Sequence, residues 1–249
     1  MREADAAVIE VHGDEDVPRV SAEALLGRRP ALVLAPHPDD ESLGCGALLA
    51  SAFAGPGAHV ACLTDGAASH PGSRAVPPSR LAAIRRAELE EALRRLGGTG
   101  ADASFLDEPD AGLVASPALV ARIAALARAG GFGLLAAPSP LDPHCDHEAG
   151  ARIGRRVAAS VPGLRLAFYP VWSRWRGGGR APCPEGTSPH RLPLGRHARA
   201  KAAAIAAHRS QSGLLVPDAL DGFEMPDGFA AFFARRDEIY FLPTGGGAR

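Results

Sequence analysis

Short apolar runs alternate with amphipathic stretches along most of the 249-residue chain. The runs near 31–35, 58–64, 103–106, 132–137 and 165–169 read as strands, those at 31–34 and 132–137 as buried ones. Helical spacing falls near 41–53, 79–96, 116–129, 147–159 and 195–208. The clearest helix is 79–96, where Leu81, Ile84, Leu89, Ala92, Leu93 and Leu96 recur on one stripe and Gly97-Gly98 stop it. Ser21 is placed to cap a short helix ending at Gly27. Strand–helix alternation of this kind predicts right-handed βαβ units. The expected fold is a three-layer α/β arrangement of Rossmann-like layering, a mostly parallel sheet with helices on both faces.

Two segments break the alternation and are expected to be long loops, 64–79 and 173–193. Loops of that length in a compact domain are often lids or binding loops, so substrate specificity is expected to reside in them. Trp172, Trp175 and Tyr169 stand at the start of the second one, where they could stack on a ring or pack the domain edge. On the 79–96 helix, Arg85 and Glu88 share the buried stripe, which predicts that they pair with each other. One domain covering 1–249 is expected, with an acidic leader and short helix over 1–29 and a flexible tail at 244–249.

Composition narrows the function. Lys and Arg number 27 against 28 Asp and Glu, so no nucleic-acid partner is indicated. Cys45, Cys62, Cys145 and Cys183 show no C-x-x-C spacing and read as reduced thiols. Acids at Glu3, Asp5, Glu10, Asp14, Glu15 and Asp16 argue against a secretory signal. The most apolar stretch, 115–137, is broken by Arg122, Arg128 and Gly130-Gly131, so no membrane span is expected. A cytoplasmic protein of open oligomeric state is the resulting expectation.

The chemistry is concentrated in two segments, Ala35-Pro36-His37-Pro38-Asp39-Asp40-Glu41 and Pro143-His144-Cys145-Asp146-His147. Each follows a predicted strand and precedes a predicted helix, so both reach the crevice at the strand ends of an open parallel sheet. Taken singly they are ordinary. Asp39-Asp40-Glu41 could be a helix start favoured by the macrodipole, and His37 a satisfied core histidine. Together they can supply two imidazoles and a carboxylate from His37, Asp40 and His147, the donor set of a catalytic zinc with one open position. Asp39 and His144 then stand beside the ligands as acid–base and polarising groups.

These segments, with Lys201…His208-x-Ser210-Gln211 near the C-terminus, resemble the LmbE-like de-N-acetylases. That superfamily includes the N-acetylglucosaminyl-phosphatidylinositol deacetylases. Thr64-Asp65-Gly66, Arg85-x-x-Glu88 and Leu106-x-x-Pro109-Asp110 resemble further family positions, so the likeness spans about 31–242. It implies one Zn2+ per chain on His37, Asp40 and His147, and Asp39 as the general base. It implies His144 as the oxyanion-stabilising residue with Asp146 holding its ring and charge state, and Arg85 and Asp110 as sugar contacts. The implied partner is a small N-acetylated sugar or glycoconjugate. Cys145 stands where family members often have Pro, and reads as a spacer.

Other classes fit less well. Gly44-Cys45-Gly46 lacks the third glycine of a dinucleotide loop, and no G-x-S-x-G elbow is present. A phosphoesterase with paired ions would need a second ligand set. A non-catalytic sugar-binding relative would be expected to lose the base or a ligand. A metal-dependent amidase acting on a non-sugar substrate also remains open.

Overall fold

The computed structural model describes residues 16–245, except 214, 217 and 220. The acidic leader up to residue 15 and most of the expected tail lie outside the described residues. The elements run α1 (Ala22–Leu26), β1 (Ala31–Ala35), α2 (Asp40–Phe53), β2 (Ala58–Thr64), α3 (Pro78–Arg95), β3 (Ala103–Glu108), α4 (Pro117–Ala129) and β4 (Leu134–Pro138). They continue with α5 (Cys145–Ser160), β5 (Arg165–Tyr169), α6 (Trp172–Arg176), β6 (Thr187–Leu192), α7 (Ala198–Ile205), α8 (Phe229–Arg235) and β7 (Glu238–Pro243).

The seven strands form one sheet in the order β3-β2-β1-β4-β5-β7-β6, with β7 antiparallel to both its neighbours and the other pairings parallel. Alternate residues of β1 face opposite layers. Ala31, Val33 and Ala35 join a core with α1, α2, α3, α7 and α8, whereas Leu32 and Leu34 join one with α4 and α5. A strand covered on both sides must be apolar at every position, which is why β1 reads as an unbroken run. The chain leaves β1 towards β2 and β3, then returns to place β4 on the other side of β1. That reversal opens a crevice beyond the carboxyl ends of β1 and β4, the usual ligand position in such sheets.

Helix α2 lies unusually close to its neighbours. A Cβ at Gly44 would fall 2.2 Å from the Tyr169 ring, and one at Gly46 would fall 2.8 Å from Lys201 Cγ. The Gly-Cys-Gly stretch thus serves helix packing.

The expected strands and helices before 170 are present within a few residues, including the short helix capped by the Ser21 side chain. Beyond 170 the expectation needs correction. Segment 173–193 holds the rest of α6 and all of β6, and both α8 and β7 went unpredicted. Strand β6 is a half-buried edge strand carrying Pro189, a residue that edge strands tolerate and that masks their pattern. The helix expected over 195–208 is α-helical only over Ala198–Ile205. No helix among the described residues is long and apolar enough to cross a membrane.

Candidate metal centre and catalytic cleft

The turn from β1 into α2 delivers the first group of side chains. Asp39 has a φ of 149°, a strained backbone for a residue with a side chain. Local bonds hold it there. Its N–H donates to Glu41 Oε2 at 2.9 Å, and its carbonyl accepts from the N–H groups of Ser42 and Leu43 at 3.0 Å each. Glu41 is fixed in turn by Ser42 Oγ and by His208 Nε2, 3.0 Å away. The turn from β4 into α5 delivers the second group, with His144 at the start of α5 and His147 inside its first turn.

The two turns meet. Candidate ligand atoms of His37, Asp40 and His147 lie within 4.8 Å of one another, and all three residues are buried. His37 Nδ1 lies 3.2 Å from Asp40 Oδ2, and His147 Nε2 lies 3.3 Å from Asp40 Oδ1. His147 Nδ1 pairs with Asp142 Oδ2 at 3.0 Å, which leaves Nε2 buried without a hydrogen-bond partner. An orphaned imidazole nitrogen beside a carboxylate and a second imidazole is a donor set that suits a divalent cation such as zinc. A second grouping, His37, His144 and Asp146, shares His37 and is therefore not independent of the first. Cys145 belongs to neither grouping.

The charges respond to this crowding. Burial alone would lower the pKa of His37, but hydrogen bonds to Asp110, Asp146 and Asp40 outweigh it and raise it well above the ordinary value. Burial would likewise lower that of His147, and Asp40 with Asp142 raise it to about 9. Asp40 is held well below the usual carboxylate range because the two histidines overcome its burial. Asp39 is pushed the other way. Burial lifts it to about 6, with Arg85 pulling down and Asp40 pushing up.

Arg85 does not pair with Glu88, contrary to expectation. Its Nη2 reaches Asp39 Oδ2 at 3.2 Å and Pro38 O at 3.0 Å, and its Nη1 donates to Gly66 O at 3.0 Å. Glu88 instead accepts from Ser210 N and Oγ at 2.8 and 2.6 Å. Asp110 is beside His37 Nε2 at 3.3 Å and accepts from Ala68 N.

The expected support of His144 by the Asp146 carboxylate also needs correction. That carboxylate bonds His37 Nε2 at 3.0 Å and the N–H groups of Ala111 and Leu113 at 2.8 and 2.9 Å. Only the backbone N–H of Asp146 touches His144, donating to Nδ1 at 3.2 Å. A ring that accepts at Nδ1 carries its proton on Nε2 when neutral. Burial, reinforced by the neighbouring His37 and His147, lowers the His144 pKa and outweighs the upward pull of Asp40 and Asp146.

These residues open onto a cavity of ≈ 360 Å³. Its polar wall includes His37, Asp39, Asp40, Arg85, Asp110 and His144, and its apolar wall Leu43, Trp172, Phe223, Met225 and Phe229. Of the two expected loops, 64–79 contributes Ala68 and Ser69, and 173–193 contributes only Arg176. The other wall comes from Gln211, Phe223, Met225 and Phe229, of which the sequence motif marked only Gln211. Trp172 faces the cavity, Trp175 packs against Phe229 and Phe232, and Tyr169 is buried with its hydroxyl on Leu34 O. Asp142, which pairs with His147, was not singled out, and Gln211, which lines the cavity, was quoted in a motif without a role. Asp142 lies two residues before His144, and a buried carboxylate near a histidine pair is a signal that the local sequence did carry.

Comparison with known proteins agrees with this geometry. A family model described as GlcNAc-PI de-N-acetylase matches residues 32–158. No curated protein matches the chain. Among solved structures, an N,N'-diacetylchitobiose deacetylase from Pyrococcus horikoshii is 23% identical, with 89% of this chain and 86% of that chain covered and a TM-score of 0.64. An A40926 pseudoaglycone deacetylase is 21% identical, with 89% and 100% covered and a TM-score of 0.64. A 4-carboxy-2-hydroxymuconate hydratase from Pseudomonas putida is 16% identical, with 89% and 98% covered and a TM-score of 0.67. At these identities the structural likenesses establish the α/β fold, which carries more than one chemistry.

Proposed function

The chain belongs to the GlcNAc-PI de-N-acetylase family, and from that premise we propose that it is a metal-dependent hydrolase removing an N-acyl group, acetyl foremost, from an amino sugar or glycoconjugate. The observation that carries this assignment is the convergence of His37, Asp40 and His147, with His37, Asp40 and Asp39 lining the cavity. The three ligands would hold one Zn2+. The ion would supply Lewis-acid polarisation of the acyl carbonyl and a lowered pKa for the attacking water.

The remaining steps belong to this chain's own side chains. Asp39 takes the water proton on its carboxylate as the new C–O bond forms, and returns it to nitrogen as the amide C–N bond breaks. The products are a carboxylic acid and a free amine. A base with a pKa of about 6 is ionised at neutral pH and still basic enough for transfer. Arg85, 3.2 Å away, orients that carboxylate. His144 donates from Nε2 to the oxygen that gains charge in the transition state, a role a neutral ring can fill. Asp110, and Arg85 beyond its hold on Asp39, are assigned to the sugar. An N-acetylglucosamine-type ring and a cytoplasmic location complete the proposal, with the whole chain taken as one catalytic domain.

The test is a panel of N-acetylated sugars incubated with zinc-loaded protein, with released primary amine detected alongside bound metal. Amine release that stops on chelation and returns with zinc is the expected result. Protein that takes up no divalent metal, and releases no amine with zinc in excess, would refute the assignment in favour of a sugar-binding role.

A further inference from the structure

Gln211 is buried, lines the cavity, and belongs to no part of the mechanism above. Its surroundings fix the orientation of its side-chain amide. Ser210 donates its hydroxyl proton to Glu88 Oε2 at 2.6 Å, and its N–H to Glu88 Oε1 at 2.8 Å. A hydroxyl has one proton, so Ser210 Oγ can only accept from the group 2.9 Å away on Gln211. That group must be the NH2. The other amide atom, Oε1, is therefore a carbonyl acceptor, and it is buried with no donor.

The backbone of Gln211 is fixed as well. Its N–H donates to His208 O at 3.3 Å, and its carbonyl accepts from Met225 N at 2.8 Å. His208 and Ser210 tie the segment to Glu41 and Glu88, on α2 and α3. Gln211 is thus held in place, and it lines the cavity together with the apolar residues Phe223 and Met225, which stand on the same stretch of chain. Buried acceptors are rarely left empty, and one held this firmly is suited to a ligand donor.

Resting on the deacetylase assignment, we infer that Gln211 is a specificity-determining residue whose Oε1 accepts a hydrogen bond from a hydroxyl of the amino sugar. The reacting amide is engaged on the side of His37, Asp40 and His144, from the turns after β1 and β4. Gln211 enters from the 207–229 side, where the sugar ring would lie against Phe223 and Met225. A sugar ring suits such a wall because it offers C–H faces to the apolar groups and hydroxyls at its edge.

The experiment uses the zinc-loaded full chain with N-acetylglucosamine and its 3-, 4- and 6-deoxy analogues. Turnover is followed as released amine, and binding of the same sugars to metal-free protein by saturation-transfer NMR. One analogue is expected to lower wild-type kcat/KM by about 10-fold, as a lost hydrogen bond does, chiefly through KM. Gln211→Met should show a similar loss on the parent sugar and no further loss with that analogue. Zinc content should be unchanged. Penalties that add in Gln211→Met, or a deoxy series that wild-type protein treats alike, overturn the role of Gln211 while leaving the deacetylase assignment standing. The wild-type series decides this even if the variant does not fold. Absence of both turnover and binding for every sugar in the set overturns the two together.

Discussion

Asp142→Asn tests how the site holds His147. The carboxylate of Asp142 is buried and accepts four hydrogen bonds. His147 Nδ1 and Val171 N share Oδ2, at 3.0 and 2.8 Å, while Ser173 N and Oγ share Oδ1. Asparagine has the same shape but turns one oxygen into a donor. The less costly placement sets the NH2 opposite Ser173, whose hydroxyl can rotate to accept, so one backbone N–H is orphaned at about 1–3 kcal/mol of stability. His147 keeps a neutral acceptor and loses the negative charge that makes Nε2 a better ligand. Loss of such a supporting carboxylate costs about 10–100-fold in metal affinity. Protons complicate the measurement in an informative way. With its pKa at about 9, His147 is protonated at pH 7 in the metal-free protein, and zinc must displace that proton. Asp142 favours proton and zinc alike, so the variant is partly relieved of competition at pH 7 and not at pH 9. Zinc affinity, measured by chelator competition, should therefore fall more on substitution at pH 9 than at pH 7. Equal affinities for wild type and variant at both pH values would refute the reasoning.

Asp39→Asn should retain zinc and lose roughly 10²–10⁴ in turnover, because the residue handles a proton rather than the ion. Wild-type activity should fall as pH drops through about 6, where Asp39 becomes protonated. Were Asp39→Asn to strip the metal while Asp40→Asn did not, the two carboxylates would have exchanged roles. His144→Ala should lower kcat by about 10²–10³ with zinc affinity intact, and loss of zinc would make it a ligand instead. Lys201→Met should destabilise the fold by about 3–5 kcal/mol in chemical denaturation, since it removes the cation paired with Glu238 and leaves that buried carboxylate only the hydrogen bonds of Ala47, Leu48 and Tyr240. Lys201 and Glu238 are fully buried and 2.6 Å apart, and a loss below about 1 kcal/mol would mean the pair is dispensable.

Local pattern carried much of the fold and the first layer of the site. Strands covered on both faces are uninterrupted apolar runs, so β1 and β4 stood out, and with them the turns bearing His37, Asp40 and His147. Strand β7 is equally buried over Glu238–Phe241, but its apolar stretch Ile239–Leu242 is short and runs into a glycine-rich end, where periodicity has no length to work with. The errors inside the site have a different origin. Arg85 and Glu88 share a helix stripe, yet the partners they choose, Asp39 and Ser210, are far along the chain. Proximity in sequence likewise suggested that Asp146 serves His144, whereas the fold turns its carboxylate towards His37 and the loop at Ala111–Leu113. Such choices depend on tertiary geometry.

That geometry yields one more consequence, the way protons and metal alternate at the centre. Asp40, Asp110, Asp142 and Asp146 all lie against His37 or His147, and without a cation the two imidazoles carry the compensating positive charge. Each has a folded-state pKa above its unfolded value, His147 at about 9 against 6.5. A group shifted upwards contributes stability that is fully present below its unfolded pKa and is lost as pH rises through its folded pKa. Metal-free protein should therefore lose stability between about pH 6.5 and 9. The metal-loaded form should be spared, because the ion replaces the protons and binds more tightly as they leave. Melting temperatures of metal-free and zinc-loaded protein, measured across that range, should diverge steadily as pH increases. A gap that stays constant from pH 6 to 9 would mean that these histidines carry no proton in the metal-free protein. The carboxylates around them would then need another source of compensating charge.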